Sequence, residues 1–247
     1  MRGLFVTGTD TGVGKTILSA ALAAAMTADG ERVRAFKPVV TGLDATTAAS
    51  ADPPGAGAAH PAGAWPPDHV LLAAAAEMDP EDVAPLRFGP AVSPHLAAHL
   101  QETPIDPRML LENARASAAA GTVLVAEGVG GLLVPLAEDY SVCDLAADLG
   151  LPLLIAARPG LGTINHTLLT LRAARAAGLD VLAVVLTPWP AQPSAMELSN
   201  SETIARLGEV DVVTLGAVEA PVPAALARAG EGLPWRDWLT TAHCGRR

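Results

Sequence analysis

The feature that most constrains this chain is the segment 8–16, which reads Gly-Thr-Asp-Thr-Gly-Val-Gly-Lys-Thr. An apolar run at 4–6 precedes it and a helix-prone run at 17–23 follows it. A strand, a glycine-rich turn and a helix together form the setting of a phosphate-binding loop, because the loop N–H groups and the helix start attract anions. Lys15 and the Thr16 hydroxyl then suit the terminal phosphates and Mg²⁺. The segment therefore predicts a nucleoside triphosphate site.

The glycine spacing of this loop is irregular. The usual spacing would place its first glycine at position 9, where the chain has Thr9, and the available glycine is Gly8. The alternative is a strand-to-helix turn that ends by chance in Gly-Lys-Thr. The flanking strand and helix favour phosphate binding, so the spacing indicates a subfamily of nucleotide-binding proteins.

The composition limits the possible partners. The 247 residues suffice for one α/β domain, and 26 acidic against 16 basic residues give a net charge of −10. Without a basic stripe, nucleic-acid binding is not expected. Cys143 and Cys244 lack the spacing of a metal or redox pair, which predicts reduced thiols. No signal-like start and no apolar run of about 20 residues occur, so we expect a cytoplasmic protein without membrane contact.

Alternating apolar and amphipathic segments predict the fold class, a P-loop NTPase-like α/β fold whose parallel sheet is covered by helices on both faces. One domain spans 1–247, and 43–67, rich in Ala, Pro, Gly and Asp, is predicted to be a mobile loop. Asp68 and Thr163 are predicted to cap helices, and the tail at 243–247 is predicted to fray. Besides 4–6, strands are predicted at 32–36, 122–126, 152–157, 181–186 and 210–215, with main helices at 16–29, 69–78, 93–101, 106–120, 163–178, 196–207 and 223–229.

Polar side chains follow the predicted strands at one edge of this sheet. Carboxyl ends of parallel strands line the ligand crevice, which places Lys37 and Thr41 beside the phosphate loop. We interpret Lys37 as a catalytic cation rather than a solvated lysine. Glu127, at the end of another strand, is interpreted as a Mg²⁺ ligand rather than a turn cap.

Four segments resemble the dethiobiotin synthetase family, in the family's order. They are 8–16, Lys-Pro-Val-Val-Thr-Gly at 37–42, Glu-Gly-Val-Gly-Gly-Leu at 127–132 and Leu-Gly-Thr-Ile-Asn-His at 161–166. The resemblance implies an ATP-dependent ligase of biotin biosynthesis. Its substrates are 7,8-diaminononanoate and CO₂ or bicarbonate, which form a carbamate. The carbamate takes the γ-phosphate to give a carbamic–phosphoric anhydride, and ring closure yields dethiobiotin, ADP and phosphate.

The same resemblance implies residue roles. Lys37, Lys15 and Thr11 would be catalytic, and Thr16, Asp68 and Glu127 would arrange Mg²⁺. Nucleotide contacts would come from Gly12, Val13, Gly14, Lys15, Thr16, Ile17, Asp68, Glu127, Gly128, Val129, Gly130, Pro188 and Trp189. The substrate would meet Thr41 and, from the opposing subunit of a homodimer, Leu161, Gly162, Thr163 and Asn165.

Three departures from the family pattern leave alternatives open. Asp68 is chosen as the metal-side acid because Trp-Pro-Pro-Asp opens a helix, but Asp52 and Asp44 are also available. The family's usual Asn-Asp pair, whose amide reads adenine, is replaced by Pro188-Trp189. Trp189 offers base stacking, which tolerates different bases, so another nucleoside triphosphate could serve in place of ATP. Residues 216–221 also depart from the family's usual sequence, so the nucleotide contacts of this segment are left open.

Two rival functions are considered. An amidotransferase-type or cobyrinate-type ligase would need a long C-terminal glutaminase domain, for which too few residues follow Trp189. A partner-switched ATPase of the partitioning or metal-delivery type would carry an extra lysine early in the loop. This chain has Asp10, Thr11 and Gly12 there.

Overall fold

The computed structural model describes residues 1–44 and 65–244, and its largest element is a parallel six-stranded sheet. In chain order the strands of this sheet are β1 (Gly3–Gly8), β2 (Val33–Phe36), β5 (Val123–Glu127), β8 (Leu153–Ala157), β9 (Val181–Trp189) and β10 (Asp211–Gly216). Their spatial order is β10-β9-β8-β1-β5-β2. Two small pairs complete the strands: β3 (Val39–Val40) with β4 (Leu86–Arg87), and β6 (Pro135–Ala137) with β7 (Tyr140–Ser141).

Helices connect these strands and pack on the sheet. They are α1 (Lys15–Ala28), α2 (Asp68–Ala76), α3 (Pro80–Val83), α4 (Pro94–Leu100), α5 (Pro107–Ser117), α6 (Val142–Leu149), α7 (Thr163–Ala176), α8 (Ala195–Gly208), α9 (Pro223–Glu231) and α10 (Trp235–Cys244). None of the helices in the described part of the chain combines the length and the apolarity that a membrane crossing requires.

The sheet has a hydrophobic core on each face. Leu4 and Val6 of β1 join one cluster with α1, α2, α9 and α10, whereas Phe5 joins the opposite cluster with α4 to α8. Strands buried on both faces read as continuous apolar runs, which explains the sequence of β1, β5 and β8. The predicted α/β fold with helices on both faces is confirmed.

The sheet order determines what lies at its carboxyl edge. β1 lies between β5 and β8, and Val6 is in register with Glu127 while Gly8 is in register with Ala156. β2 pairs with the other side of β5, where Phe36 is opposite Ala126. The phosphate loop, Glu127 and Lys37 therefore leave adjacent strands at the same edge.

Two predicted helix caps are wrong by one residue. Pro67, not Asp68, is the N-cap of α2, and Asp68 is its first residue, because the Asp68 carboxylate pairs with Lys37 instead. Gly162, not Thr163, is the N-cap of α7. Its left-handed φ of 90° suits a glycine, and Thr163 is then buried within the first turn.

The predicted frayed tail differs from the structure at its start, whereas the predicted mobile loop is described only at its two ends. Helix α10 includes 243 and 244, where a frayed tail is predicted, because Trp235, Trp238 and Leu239 anchor it in the core. At the start of the predicted mobile loop, the N–H groups of Leu43 and Asp44 donate to Phe88 and Gly89. Residues 45–64 and 245–247, on which most of these two predictions fall, lie outside the described residues.

We predict that Gly230→Ala destabilises the protein by about 1–3 kcal/mol through overpacking, a cost that exceeds the gain in helix propensity. A methyl group at Gly230 would overlap the Ala21 carbonyl oxygen of α1 and lie 2.8 Å from the Ala25 side chain. Thermal unfolding measures the difference. Gly232→Ala is the matched control, since nothing lies within 4 Å of its added methyl. Equal unfolding temperatures for the two variants would contradict the close approach of α1 and α9.

Candidate active site

The phosphate loop is shaped by two glycines in the left-handed region. Gly12 has φ 69° and Gly14 has φ 92°, and Gly14 is also the N-cap of α1. A methyl group at Gly14 would approach the Thr187 side chain of β9 to 2.7 Å. Both the backbone angle and the close approach therefore require glycine at position 14.

Lys15 is held inside this loop by the backbone. Its Nζ donates to the Asp10 carbonyl at 2.8 Å, and the side chain is almost completely buried. Burial lowers the pKa of Lys15 to about 8, while Glu127 raises it and the Lys37 charge lowers it further. Lys15 is therefore held by a neutral carbonyl rather than by a carboxylate in direct contact, and burial disfavours its charge.

Lys37 lies between two carboxylates contributed by two other elements. Its Nζ is 2.7 Å from Asp68 Oδ2 and 2.5 Å from Glu127 Oε1. Burial opposes the charge of Lys37, but these carboxylates outweigh it and raise the pKa. Burial likewise opposes the charge of Asp68, yet the attraction of Lys37 and hydrogen bonds from Lys37 and Thr16 lower its pKa. Lys37 and Asp68 are therefore both charged near neutral pH.

Thr16, Asp68 and Glu127 offer oxygen ligands that fit Mg²⁺. Thr16 Oγ1 donates to Glu127 Oε1 at 2.9 Å, and Thr16 also contacts Asp68. The second Glu127 oxygen is buried and has no hydrogen-bond partner in the described residues. No group of three or more His, Cys, Asp or Glu side chains suited to a metal occurs among residues 1–44 and 65–244. An ion here would thus share oxygens of the hydroxyl, the carboxylates and a bound phosphate.

These groups border a cavity of about 750 Å³ at the carboxyl edge of the sheet. Its size is in the range of small-molecule and cofactor sites. Twelve of the residues singled out from the sequence line it: Thr11, Gly12, Gly14, Lys15, Thr16, Ile17, Lys37, Thr41, Asp68, Val129, Gly130 and Pro188. Glu127 lies behind them and reaches the site through its bonds to Thr16 and Lys37.

The other predicted site residues lie outside the cavity wall. Val13 is buried in the core, and Gly128 is covered by Val142 and Phe5. Trp189 packs against the second core cluster, so the structure does not bring its ring to the cavity. Leu161, Gly162, Thr163 and Asn165 are also away from it, and Leu161 is 94% exposed.

The three acids that the sequence left open for the metal side differ in where they lie. Asp68 lies against Lys37, whereas Asp44 is exposed beside Gly89, and Asp52 lies outside the described residues. The cavity near Pro188 is completed by Gly216, Ala217 and Val218, which belong to the atypical segment 216–221.

Several residues of the cavity wall were not assigned to the site from the sequence, and Trp65 and Arg158 are the largest side chains among them. Trp65 precedes α2 and also packs against the first core cluster. Arg158 directly follows β8, the neighbour of β1, and its position at a strand end is the signal that could have identified it.

Comparisons with known proteins agree with this geometry. An AAA domain family model matches residues 2–220. An ATP-dependent dethiobiotin synthetase BioD of Anaeromyxobacter sp. (strain K) is 41% identical over 217 residues, covering 87% of this chain and 89% of the relative. One of Mycobacterium sp. (strain KMS) is 36% identical over 247 residues, covering 97% and 98%.

A solved structure supports the fold independently. The cell division ATPase MinD of Pyrococcus furiosus superposes with a TM-score of 0.54 at 18% identity, covering 96% of this chain and 100% of that one. At this identity the likeness concerns the arrangement of sheet, helices and phosphate loop, and it carries no conclusion about activity.

We predict that nucleotide binding takes up a proton at alkaline pH. Phosphate oxygens favour the charged form of Lys15, whose pKa burial lowers to about 8. Below that pH the lysine is already protonated, and above it the affinity should fall toward tenfold per pH unit. Calorimetry with a non-hydrolysable triphosphate near pH 7 and near pH 9, in buffers of different ionisation enthalpy, measures the uptake. Lys15→Arg, which stays charged, is the control; equal affinities at both pH values for the parent chain would refute the shift.

Proposed function

The chain belongs to the dethiobiotin synthetase family, and from this we propose that it converts 7,8-diaminononanoate and CO₂ to dethiobiotin, with a nucleoside triphosphate as phosphoryl donor. The observation that carries the proposal is the family membership together with two buried lysines, Lys15 and Lys37, beside one phosphate loop. We further propose that one domain performs the whole reaction in the cytoplasm, where nucleoside triphosphates are supplied.

The proposed reaction has three balanced steps. One amine adds to CO₂ and loses a proton, giving a carbamate. A carbamate oxygen attacks the γ-phosphorus, the bond to the nucleoside diphosphate breaks, and a carbamic–phosphoric anhydride forms. The second amine attacks the carbamate carbon, closes the ring and expels phosphate. No protein nucleophile takes part, so catalysis consists of positioning and charge stabilisation.

The central physical difficulty is repulsion between a carbamate and a triphosphate. We propose that Lys15 binds the terminal phosphates and that Lys37 stabilises the carbamate and the transferring phosphoryl group. The contacts of Lys37 support this assignment, because Asp68 and Glu127 keep it charged although it is buried. Thr11 and Thr41, which line the cavity, would hydrogen-bond the carbamate or the diamine.

Mg²⁺ is part of the proposal, with Thr16, Asp68 and Glu127 as its protein ligands. When bound, the ion would neutralise charge on the phosphate oxygens. The unpartnered Glu127 oxygen supports a further ligand at this position, since an orphaned buried carboxylate oxygen is costly. Each of the three residues comes from a different element at the sheet edge, so binding an ion would also cross-link α1, α2 and β5.

We also propose a homodimer in which the turn 161–165 serves the opposing subunit. Its residues lie outside their own cavity, and the 94% exposure of Leu161 leaves this turn free for an external contact. The N–H groups at the start of α7 are suited to a substrate carboxylate. The assembly would then bring N–H donors for the substrate carboxylate to the cavity of the opposing subunit.

The decisive measurement is phosphate release with 7,8-diaminononanoate, bicarbonate and Mg²⁺, run in parallel with ATP, CTP and GTP. We expect release that requires the diamine, because the carbamate that takes the γ-phosphate forms only from the diamine. The ranking of the three nucleotides identifies the donor that the Pro188 side of the cavity accepts. Phosphate release that does not change with the diamine and instead depends on a protein partner would assign the chain to the partner-switched ATPases.

A second prediction separates the roles of the two lysines. Lys37→Ala should lower turnover by about 100-fold or more while leaving nucleotide affinity nearly intact, whereas Lys15→Ala should impair both. Calorimetry and phosphate release measure the two effects. Lys37→Gln, which retains a donor toward Glu127, is compared by thermal unfolding to separate chemistry from stability. Equal losses of nucleotide affinity at both lysine positions would show that this division of roles is wrong.

A further inference from the structure

The structure places a third cation at the phosphate loop. Arg158 leaves the end of β8, and its Nη2 donates to the Thr11 carbonyl at 3.2 Å. A methyl group added at Gly12 would lie 3.1 Å from the same nitrogen. The guanidinium therefore rests on the Thr11–Gly12 backbone and lines the cavity together with Lys15, Thr16 and Lys37.

Arg158 differs from Lys37 of the same cavity in that no carboxylate pairs with it in the described residues. Lys15 and Lys37 are matched in formal charge by Asp68 and Glu127. In the described part of the chain no carboxylate lies within 4 Å of the Arg158 guanidinium, and the Asp10 carboxylate on the same loop instead accepts from the Thr11 N–H. Arg158 thus supplies positive charge that no acidic side chain in contact with it offsets.

The Arg158 guanidinium has N–H donors that its hydrogen bond to Thr11 does not use. It carries five N–H groups in a planar fork that matches phosphoryl and carboxylate oxygens, and only one hydrogen bond, to Thr11, is made within the described residues. Its charge persists at any pH at which the protein is folded, unlike that of Lys15. The loop it rests on binds the phosphate that is to be transferred, if the proposed function holds.

We propose that Arg158 is a further catalytic residue, which contacts the transferring γ-phosphoryl group and stabilises the charge that spreads over its oxygens as the carbamate oxygen attacks. The inference rests on the proposed function for the identity of the acceptor. In phosphoryl transfer an arginine supplied from the same chain can perform this task, because charge develops on the equatorial oxygens in the transition state. Its position on the side of β1 opposite Glu127 and Lys37 would place cations on both sides of the reacting phosphorus.

The test compares Arg158→Ala with Arg175→Ala. Arg175 is a matched control, because its guanidinium also donates to a backbone carbonyl, that of Glu209 at 3.0 Å, but on an exposed surface away from the cavity. We expect kcat for diamine-dependent phosphate release to fall about 100-fold or more in Arg158→Ala and to stay at the parent value in Arg175→Ala. Affinity for the nucleoside diphosphate should change little in either variant.

Two readouts exclude a merely structural role. Free guanidinium ion at millimolar concentration should restore part of the kcat of Arg158→Ala and leave Arg175→Ala unaffected. Thermal unfolding of the two variants should agree, since each loses one hydrogen bond to a carbonyl. A kcat of Arg158→Ala within about twofold of the parent, or a loss that guanidinium does not relieve, overturns the proposal.

A measurement without diamine distinguishes this inference from the proposed function. ADP with aluminium fluoride and Mg²⁺ imitates the transferring phosphoryl group, and the parent should bind ADP more tightly when the fluoride is present. Arg158→Ala should lose that gain, and an undiminished gain overturns the inference. Absence of diamine-dependent release in the parent would reject the proposed acceptor, while this binding measurement would still decide the role of Arg158.

Discussion

The ion cluster of Lys37, Asp68 and Glu127 is the interaction on which the rest of the site depends. Glu127 is fully buried and Lys37 nearly so, and neither charge would be tolerated there alone. The three side chains come from the ends of β2 and β5 and from the start of α2, so these elements must meet for the charges to be compensated. The sheet edge and the charged groups of the site therefore depend on each other: the charges are compensated only when β2, β5 and α2 are packed together.

Much of the fold followed from local sequence patterns. The apolar runs of β1, β5 and β8 and the glycines of the phosphate loop predicted a parallel sheet and a nucleotide site, because each pattern has few physical alternatives. Helix α10 was missed because its pattern is weakly apolar, and only contact of Trp235 and Trp238 with the core makes it stable. Tertiary packing of that kind is invisible to a reading of local periodicity.

Site residues were predictable from the sequence where a charged side chain lies at the end of a predicted strand. Lys37 and Glu127 were identified because each follows or ends a predicted strand at the sheet edge that carries the phosphate loop. Asp68 was chosen for a capping role that it does not perform, and its pairing with Lys37 depends on how α2 packs. Arg158 and Trp65 carry no motif, and their place in the cavity wall follows from neighbouring strands and a helix start.

The bond from Lys15 to the Asp10 carbonyl has a consequence for how a nucleotide enters. Lys15 has a hydrogen-bond acceptor within its own loop, so its placement does not require a phosphate oxygen. An incoming phosphate then exchanges one acceptor for another rather than ordering a disordered segment, and little conformational entropy is lost. The nucleotide affinity of this loop therefore depends on how much better a phosphate oxygen accepts from Lys15 than the Asp10 carbonyl does. A ligand whose phosphate is a poor acceptor gains little from Lys15.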